Sequence, residues 1–335
     1  MPAVPDASVP RPLVDSFGRV HADLRISVTD RCNFRCTYCM PEEGMQWLPR
    51  EELLTFEELE RIARLLVERH GIRSIRLTGG EPTVRAHLPV LVAKLAALPV
   101  DLALTTNGAT LQSVAQGLAD AGLRRVNVSL DTLLADRFLE LTRRDQLDDV
   151  LLGIDAAIKA GLAPVKVNVV VVRGVNDDEI VELARYGRAN GVTVRFIEWM
   201  PLDGGDSWTG DQVVTQAEIV EQIDAVFPLE PIARGTAPAE RFRYLDGLGE
   251  VGVIPSVTRP FCDQCDRIRL TADGQLRSCL FSLEDHDLRG PLRSDASDDQ
   301  LSDAIEACVR AKWAGHAIGQ VQFVKPRRSM SQIGG

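Results

Sequence analysis

The sequence predicts an α/β fold: a partial (β/α)6 TIM-type barrel with a small C-terminal antiparallel appendage. Six short apolar or β-branched runs alternate with helix-like segments over roughly the first 200 residues, which is the pattern of buried parallel strands and crossover helices. Shorter runs separated by turn residues follow. Functional side chains of such barrels lie at the C-terminal ends of the strands, so we expect the chemistry there.

Local signals support the individual elements of the barrel. Thr55 and Glu58 form a capping box before the first helix, and Gly71 and Gly191 stand where helix C-caps are expected. The strands are predicted at 23–28, 74–78, 102–106, 125–130, 165–172 and 193–198. The helices are predicted at 55–70, 87–98, 111–121, 146–160 and 177–190.

The C-terminal third has a different pattern. The Asp273-Gly274 pair predicts a hairpin turn between two of its short strands. The elements expected here are helices at 216–226 and 299–313 and strands at 241–245, 251–254, 268–271 and 275–279. The predicted division is a flexible leader at 1–12, the barrel at 13–228, the appendage at 229–323 and a tail at 324–335.

Composition narrows the classes of function. The 335 residues carry a net charge of −10, which disfavours non-specific nucleic-acid binding. Apolar runs are too short for a membrane span, and the N-terminus lacks a signal-peptide pattern, so we expect a cytoplasmic protein that binds no membrane. Six of the seven cysteines fall in two clusters and Cys308 stands alone, a pattern that indicates metal binding rather than disulfides.

The first cysteine cluster, Cys32, Cys36 and Cys39, has C-x3-C-x2-C spacing directly after the first predicted strand. Thiolates select iron–sulfur clusters, zinc or copper(I), and a closed zinc site needs four ligands. The neighbouring residues include no fourth cysteine or histidine. Three thiolates on a four-iron cube would leave one iron open to a ligand. A zinc-stapled loop is the alternative.

The second cluster, Cys262, Cys265 and Cys279, has C-x2-C-x13-C spacing. Beside the first motif it predicts a second four-iron cluster with an open iron. An incomplete zinc ribbon is the alternative, with His286 or Cys308 as fourth ligand. Arg267 and Arg269 stand two residues apart, so in a strand both would project to the same side, beside the cluster.

Four cations, Arg25, Arg76, Lys166 and Arg195, lie within apolar or β-branched strands. A charge in such a position is costly unless it is paired. Because a barrel would bring these strands together, the four cations predict a polyphosphate site. Separate salt bridges to neighbouring carboxylates are the alternative.

Polar residues end several of the predicted strands. Gly79-Gly80-Glu81-Pro82 follows the second strand, where two glycines allow close backbone approach to a ligand and Glu81 could accept bonds from an ammonium. Thr105 to Gly108 and Asn127 to Asp131 end the next two strands. Turns or helix caps would explain the same residues.

Together these motifs resemble the GTP 3′,8-cyclase family of radical S-adenosylmethionine (SAM) enzymes, over about residues 13–335. The segments that carry the resemblance are 25–32, the first cysteine motif, 76–82, 195–201, the second cysteine cluster with 267–269, and the terminal Gly334-Gly335. It implies a partial barrel of the radical SAM type whose appendage carries a second cluster. It also implies an enzyme of the lyase class that acts first in molybdenum cofactor (molybdopterin) biosynthesis.

The resemblance implies these residue roles. Cys32, Cys36 and Cys39 would hold the SAM-binding [4Fe–4S] cluster, and Cys262, Cys265 and Cys279 would hold the second, which faces the substrate. The SAM-binding residues would be Tyr38, Gly80, Glu81, Ser129 and Met200. The GTP-binding residues would be Arg25, Arg76, Thr105, Lys166, Arg195, Arg267, Ile268 and Arg269. The catalytic residues would be Arg267, Arg269, Gly334 and Gly335.

The implied reaction converts GTP to 3′,8-cyclo-7,8-dihydro-GTP through a 5′-deoxyadenosyl radical that abstracts the C3′ hydrogen of the ribose. A flavodoxin- or ferredoxin-type electron donor is expected, and cyclic pyranopterin monophosphate synthase would take the product. A homodimer is compatible with the family. Two alternatives stay open: a radical SAM enzyme that modifies a peptide, and a zinc-stapled binding module without enzymatic activity.

Overall fold

The computed structural model describes residues 10–41, 45–202, 208–235, 237–318, 320 and 323–334. Most of the predicted leader and the terminal Gly335 lie outside these residues. The strands are β1 (Leu13–Val14), β2 (Val20–His21), β3 (Asp23–Ser27), β4 (Ser74–Thr78), β5 (Asp101–Thr106), β6 (Arg125–Ser129), β7 (Val165–Val171), β8 (Thr193–Glu198), β9 (Leu229–Ile232), β10 (Glu240–Tyr244), β11 (Glu250–Ile254), β12 (Arg267–Leu270), β13 (Gln275–Arg277) and β14 (His286–Asp287).

The helices of the described residues confirm the predicted alternation. Thr55 and Glu58 form the expected capping box on the first helix, and Gly71 closes that helix in the left-handed conformation with φ 73°. The helices are α1 (Phe56–His70), α2 (Leu88–Ala96), α3 (Leu111–Asp120), α4 (Ala135–Thr142), α5 (Leu147–Lys159), α6 (Ile180–Asn190), α7 (Gln216–Asp224), α8 (Arg289–Arg293), α9 (Asp298–Arg310) and α10 (Met330–Ile333).

The six predicted parallel strands form the middle of one mixed sheet. Its order is β14-β13-β12-β3-β4-β5-β6-β7-β8-β11-β10-β9, and every neighbouring pair from β12 to β11 is parallel. The α/β fold with a parallel core is therefore confirmed. β1 and β2 pair in a separate two-stranded antiparallel sheet.

The C-terminal strands extend this sheet instead of standing apart from it. β11 pairs with β8 and β12 pairs with β3, both in parallel. In the described part of the chain, the antiparallel additions to the sheet are therefore β9, β10, β13 and β14. Local sequence does not encode such pairings, because the partner strands are far apart along the chain. The predicted domain boundaries remain predictions.

Alternation along β7 shows how the sheet separates core from site. Val167, Val169 and Val171 are fully buried on one face, whereas Lys166 and Asn168 are half-buried on the other. The valine face joins the main apolar core beneath the helices. The other face is free to present polar groups to a ligand.

The sequence analysis did not predict α4. This amphipathic helix matters because its last turn binds the first cysteine loop: the Arg35 and Thr37 amides donate to the carbonyls of Thr142 and Leu141, at 3.0 and 2.9 Å. In the described part of the chain, no helix is both long and apolar enough to cross a membrane.

Candidate active site

The three cysteines of the first motif lie in the loop that follows β3. All three are free thiols and are half-buried. The Arg35 guanidinium donates to the carbonyls of Cys32 and Phe34, at 2.7 Å each, and Arg144 Nε donates to the carbonyl of Asn33 at 2.9 Å. These bonds fix the backbone of the loop and do not involve its thiols.

Gly79 and Gly80 pack this loop against the neighbouring strand end. A Cβ on Gly79 would lie 2.4 Å from the Thr29 carbonyl oxygen, and one on Gly80 would lie 2.4 Å from that of Arg31. The close approach that the two glycines predicted is therefore an approach to the chain itself. The contact of Gly80 with SAM remains a prediction.

Glu81 is a buried carboxylate with an internal role. Its oxygens accept hydrogen bonds from the backbone amide of Thr83 at 3.0 Å, from the Thr106 hydroxyl at 2.7 Å and from the backbone amide of Asn107 at 2.6 Å. The Thr83 hydroxyl adds a fourth bond at 2.6 Å. Burial raises the pKa of Glu81. An ammonium would have to displace one of these donors, and the SAM-binding role stays a prediction.

Most of the other predicted site residues line one cavity. Of the predicted SAM-binding set, it is lined by Tyr38, Ser129 and Met200. The Tyr38 hydroxyl donates to Asp131, which the Val170 amide also binds at 2.8 Å. Burial raises the pKa of Asp131 to about 6. The strand ends of β6 and β7 therefore hold Tyr38 at the cavity wall.

All three cysteines of the second cluster line the same cavity, beside Arg267 and Arg269. The expectation that both arginines of β12 project beside this cluster agrees with that placement. Ile268 between them is fully buried in the apolar core and faces the other way. Its side chain does not line the cavity, because successive strand residues point to opposite faces, and the prediction that Ile268 binds GTP stays a prediction.

Sheet register brings the predicted cations together. Arg269 of β12 is the register partner of Arg25 in β3, and Arg25 is the partner of Arg76 in β4. The three arginines therefore lie side by side on three adjacent strands. Arg195 approaches from β8, where Gly252 of β11 leaves room for its stem: a Cβ on Gly252 would lie 3.2 Å from Arg195 Cγ. Arg25, Arg76 and Arg195 all line the cavity.

Among the described residues, these arginines lack anionic partners that match their burial. Within the described residues, Nε of Arg25, Arg76 and Arg195 is buried without a hydrogen bond, and the Asp23 carboxylate lies 3.9 Å from Arg25. Burial and mutual repulsion lower the pKa to about 9 for Arg25 and Arg195 and to about 10 for Arg76, so all stay charged at neutral pH. Such a group suits a polyanion.

Two predicted GTP-binding residues occupy the edge of this group. Thr105 lines the cavity and accepts a bond from Asn127 Nδ2 at 3.3 Å. Lys166 lies on the same face of β7 as the cavity-lining Asn168, two residues earlier. Burial, with repulsion from Arg195, lowers the pKa of Lys166 to about 8.

The C-terminal tail reaches both cysteine clusters. The backbone of Ser331 in α10 lies beside the Cys39 thiol, and Arg269 donates to the Gly334 carbonyl. A Cβ on Gly334 would lie 2.8 Å from Thr78 Cγ2, so the tail fits closely against the end of β4. The predicted catalytic Gly335 lies outside the described residues.

The six thiols of the two motifs are candidate ligands of iron–sulfur clusters. No three His, Cys, Asp or Glu side chains of the described residues converge on one ion. A four-iron cube does not need that convergence, because each thiolate binds its own iron. Burial raises the pKa of Cys32 to about 11 and that of Cys39 to about 12, so metal loading must release their protons.

The sequence analysis missed several residues of the site. Asn168 lines the cavity. The sequence pattern could have identified it, because it is a polar residue on the same face as Lys166 in a valine-rich strand. Phe261, Phe281, His316 and Met330 also line the cavity. Phe261, Phe281 and His316 come from irregular segments, and Met330 begins the four-residue helix α10. None of these segments has a readable periodicity, so only the folded chain identifies the four residues.

Two family models match the chain. The model of the radical SAM superfamily matches residues 26–187, and that of Molybdenum Cofactor Synthesis C matches residues 192–318. In three dimensions the chain resembles Streptococcus suis SuiB bound to S-adenosylmethionine, with a TM-score of 0.60 and 15% identity, over 88% of this chain and 69% of that one. This likeness supports the fold.

Curated relatives match over nearly the full chain, and each is named GTP 3′,8-cyclase. The protein from Corynebacterium glutamicum is 49% identical, over 99% of this chain and 92% of its own length. Those from Mycolicibacterium smegmatis and Streptomyces coelicolor are 51% and 50% identical, over 97% and 96% of this chain and 92% and 96% of theirs. The chain therefore belongs to the GTP 3′,8-cyclase family of radical SAM enzymes.

Proposed function

We propose that this chain is a lyase that converts GTP to 3′,8-cyclo-7,8-dihydro-GTP in the first step of molybdenum cofactor biosynthesis. The observation that carries the proposal is a single cavity that holds three free cysteines beside five arginines, three of them with an unbonded buried Nε. The GTP 3′,8-cyclase relatives support the same substrate.

Two [4Fe–4S] clusters are part of the proposal. Cys32, Cys36 and Cys39 would hold the first with SAM, and Cys262, Cys265 and Cys279 would hold the second. When bound, the first cluster supplies the electron for cleavage of SAM to the 5′-deoxyadenosyl radical that abstracts the C3′ hydrogen of GTP.

The protein's own groups bind, orient and shield the substrate. Arg25, Arg76 and Arg195 would bind the triphosphate, with Thr105 and Lys166 beside them. Arg267 and Arg269 would orient the purine beside the second cysteine cluster. Apolar wall residues such as Ile197 and Ile254 keep water and stray hydrogen donors from the reacting carbons.

Anaerobic incubation with SAM, a chemical reductant and GTP tests the function. We expect 5′-deoxyadenosine in amounts that depend on GTP, together with the cyclised nucleotide, which mass spectrometry identifies. ATP should give only the background of 5′-deoxyadenosine. Equal formation with GTP and ATP would contradict the substrate assignment, and a protein that carries zinc and no iron would favour the non-enzymatic alternative.

Arg195→Ala should weaken GTP binding without removing iron. Truncation of one partner of a buried charged contact costs about 2–5 kcal/mol, so the Kd for GTP should rise at least roughly 30-fold. Equilibrium dialysis with labelled GTP measures the Kd, and an iron assay checks the clusters. Arg64→Ala is the matched control, because Arg64 lies on the exposed surface of α1. Equal affinities of the two variants would show that the anion site is misplaced.

The affinity for GTP should fall as the pH rises through about 8. The pKa of Lys166 is about 8 in the free protein, and a nearby triphosphate would raise it. In the free protein the ammonium is half deprotonated at about pH 8, so at higher pH binding must protonate it again, which costs binding energy. Lys166→Arg should move this decline to higher pH, because arginine stays charged. An unchanged pH profile of the Kd would exclude Lys166 from the site.

We also propose the partners that the family implies. A flavodoxin- or ferredoxin-type protein would supply the electron, and cyclic pyranopterin monophosphate synthase would take the product. The cytoplasm would be the site of the reaction, and a homodimer the form of the enzyme. A peptide substrate would not require the triphosphate-binding arginines, so the nucleotide is the better match to this cavity.

A further inference from the structure

Lys312, just beyond α9, carries a cation into the protein interior beside the second cysteine cluster. Its side chain is buried, with a relative exposure of 4% for the residue. Nζ donates to the Arg267 carbonyl at 2.8 Å and lies 3.5 Å from the Cys265 sulfur. A buried ammonium is costly unless it is compensated. Nζ also lies 3.4 Å from the Cys265 carbonyl oxygen. Of the described groups that accept a bond from Nζ, the Cys265 thiol is the one that becomes anionic when it binds a metal.

The N-terminal hairpin holds this lysine from the other side. His21 is fully buried, with Nδ1 3.5 Å from Lys312 Nζ and Nε2 3.1 Å from Asp15 Oδ2. Burial lowers the pKa of His21 to about 4, so the neutral ring donates from Nε2 to Asp15 and accepts at Nδ1 from Lys312. The ammonium is therefore aimed at Cys265 by a chain of fixed partners.

Arg19 links the same hairpin to a second cysteine. Its Nε donates to Asp15 Oδ2 at 2.6 Å, and its Nη1 donates to the carbonyl of Cys262 at 2.7 Å. Arg19 from the N-terminal hairpin thus contacts Cys262, and Lys312 from the C-terminal part of the chain contacts Cys265. Among the described residues, Cys265 is the one cysteine of this cluster whose sulfur accepts a bond from a charged side chain, that of Lys312. The donor to the Cys279 sulfur is a neutral group, the backbone amide of Phe281 at 3.4 Å.

We propose that Lys312 is a positioning residue for the second cluster. Its ammonium donates to the Cys265 thiolate and compensates the negative charge of the bound cluster. The inference rests on the proposed second cluster. Hydrogen bonds and positive charge at a ligating sulfur stabilise the reduced form of a cluster, so Lys312 raises its reduction potential. The same contact helps to retain the iron.

Lys312→Met removes the charge and keeps the aliphatic stem. We would measure it in the full-length chain that carries Cys32→Ser, Cys36→Ser and Cys39→Ser, so that only the second cluster contributes to the spectrum. A redox titration followed by electron paramagnetic resonance gives its potential, and loss of iron to a chelator gives its retention. We expect a more negative potential and roughly tenfold faster iron loss than in the parent. Lys312→Arg should restore both towards the parent values.

Lys159→Met is the matched control, because the Lys159 side chain is 73% exposed on α5. It should match the parent in potential and iron loss. A Lys312→Met variant that melts like the parent but holds no cluster would also support the inference. An unchanged potential and rate of iron loss would overturn it. A parent chain without cluster iron would overturn both this inference and the proposed second cluster, so the two failures are distinguishable.

If Lys312→Met does not fold, Lys312→Gln and Lys312→Arg decide the question. Glutamine retains an N–H donor without charge, so it should give a more negative potential than arginine. Equal potentials in these two variants and the parent would overturn the inference.

Discussion

Replacing Gly334 with alanine is expected to reduce turnover at least about 100-fold while both clusters and the fold remain. The added Cβ would lie 2.8 Å from Thr78 Cγ2 and 3.2 Å from Ser27 Cβ, so the end of the tail must move. Arg269, which lines the cavity, would then lose its bond to the Gly334 carbonyl. Displacements of about 1 Å at a reacting site can cost about 100-fold in rate. GTP-dependent formation of 5′-deoxyadenosine measures the loss.

Gly174→Ala is the matched control for this variant. Gly174 has φ 75°, close to the 83° of Gly334, but a Cβ there would meet no atom within 4 Å. Both variants place an alanine at a positive φ, where residues with a Cβ are strained, and only Gly334→Ala also imposes a close contact. Deletion of Gly334-Gly335 should also stop turnover and leave the clusters in place. Equal activity of Gly334→Ala and Gly174→Ala would show that the tail is passive.

The combined variant Cys262→Ser, Cys265→Ser and Cys279→Ser should lose half of the iron and all cyclisation of GTP. Two four-iron clusters give about eight irons per chain, and the variant should retain about four. The first cluster should survive, because its cysteines lie in the separate loop after β3. Iron and acid-labile sulfide assays under anaerobic conditions measure this change, and mass spectrometry measures the nucleotide product.

Cys308→Ala controls for the loss of a buried thiol. Cys308 is fully buried in α9 and its sulfur contacts the Leu276 carbonyl at 3.6 Å, so its replacement changes packing without touching either cysteine cluster. This variant should keep about eight irons. Stoichiometric zinc in the parent, or unchanged iron in the combined cysteine variant, would contradict the second cluster.

Local sequence was sufficient for the core of the fold. The capping box at Thr55, the alternation in β7 and the glycine after α1 are signals within a few residues, and the structure confirms them. The predicted strands 74–78 and 193–198 coincide with β4 and β8. Helix α4 was missed because its N-cap residue, Leu134, offers no side-chain cap.

The sequence could also identify cations whose burial would be too unfavourable without a partner or a ligand. Arg25, Arg76 and Arg195 stand in apolar strands, and in the structure they line one cavity. It could not identify their partners. Glu81 was expected to be available to a ligand, but four bonds within the protein occupy its carboxylate. A single glutamate in the sequence does not reveal which donors folding will bring to it.

The sequence by itself determined the type of chemistry, because cysteine spacing and buried charge are properties of residue identity. Tertiary structure alone decided how these groups meet. Parallel pairing of β12 with β3 aligns Arg269 with Arg25, and the tail brings Ser331 to Cys39 and Gly334 to Arg269. Lys312 reaches Cys265 in the same way. Such contacts join residues tens to hundreds of positions apart, and their energies exist only after the intervening chain has folded.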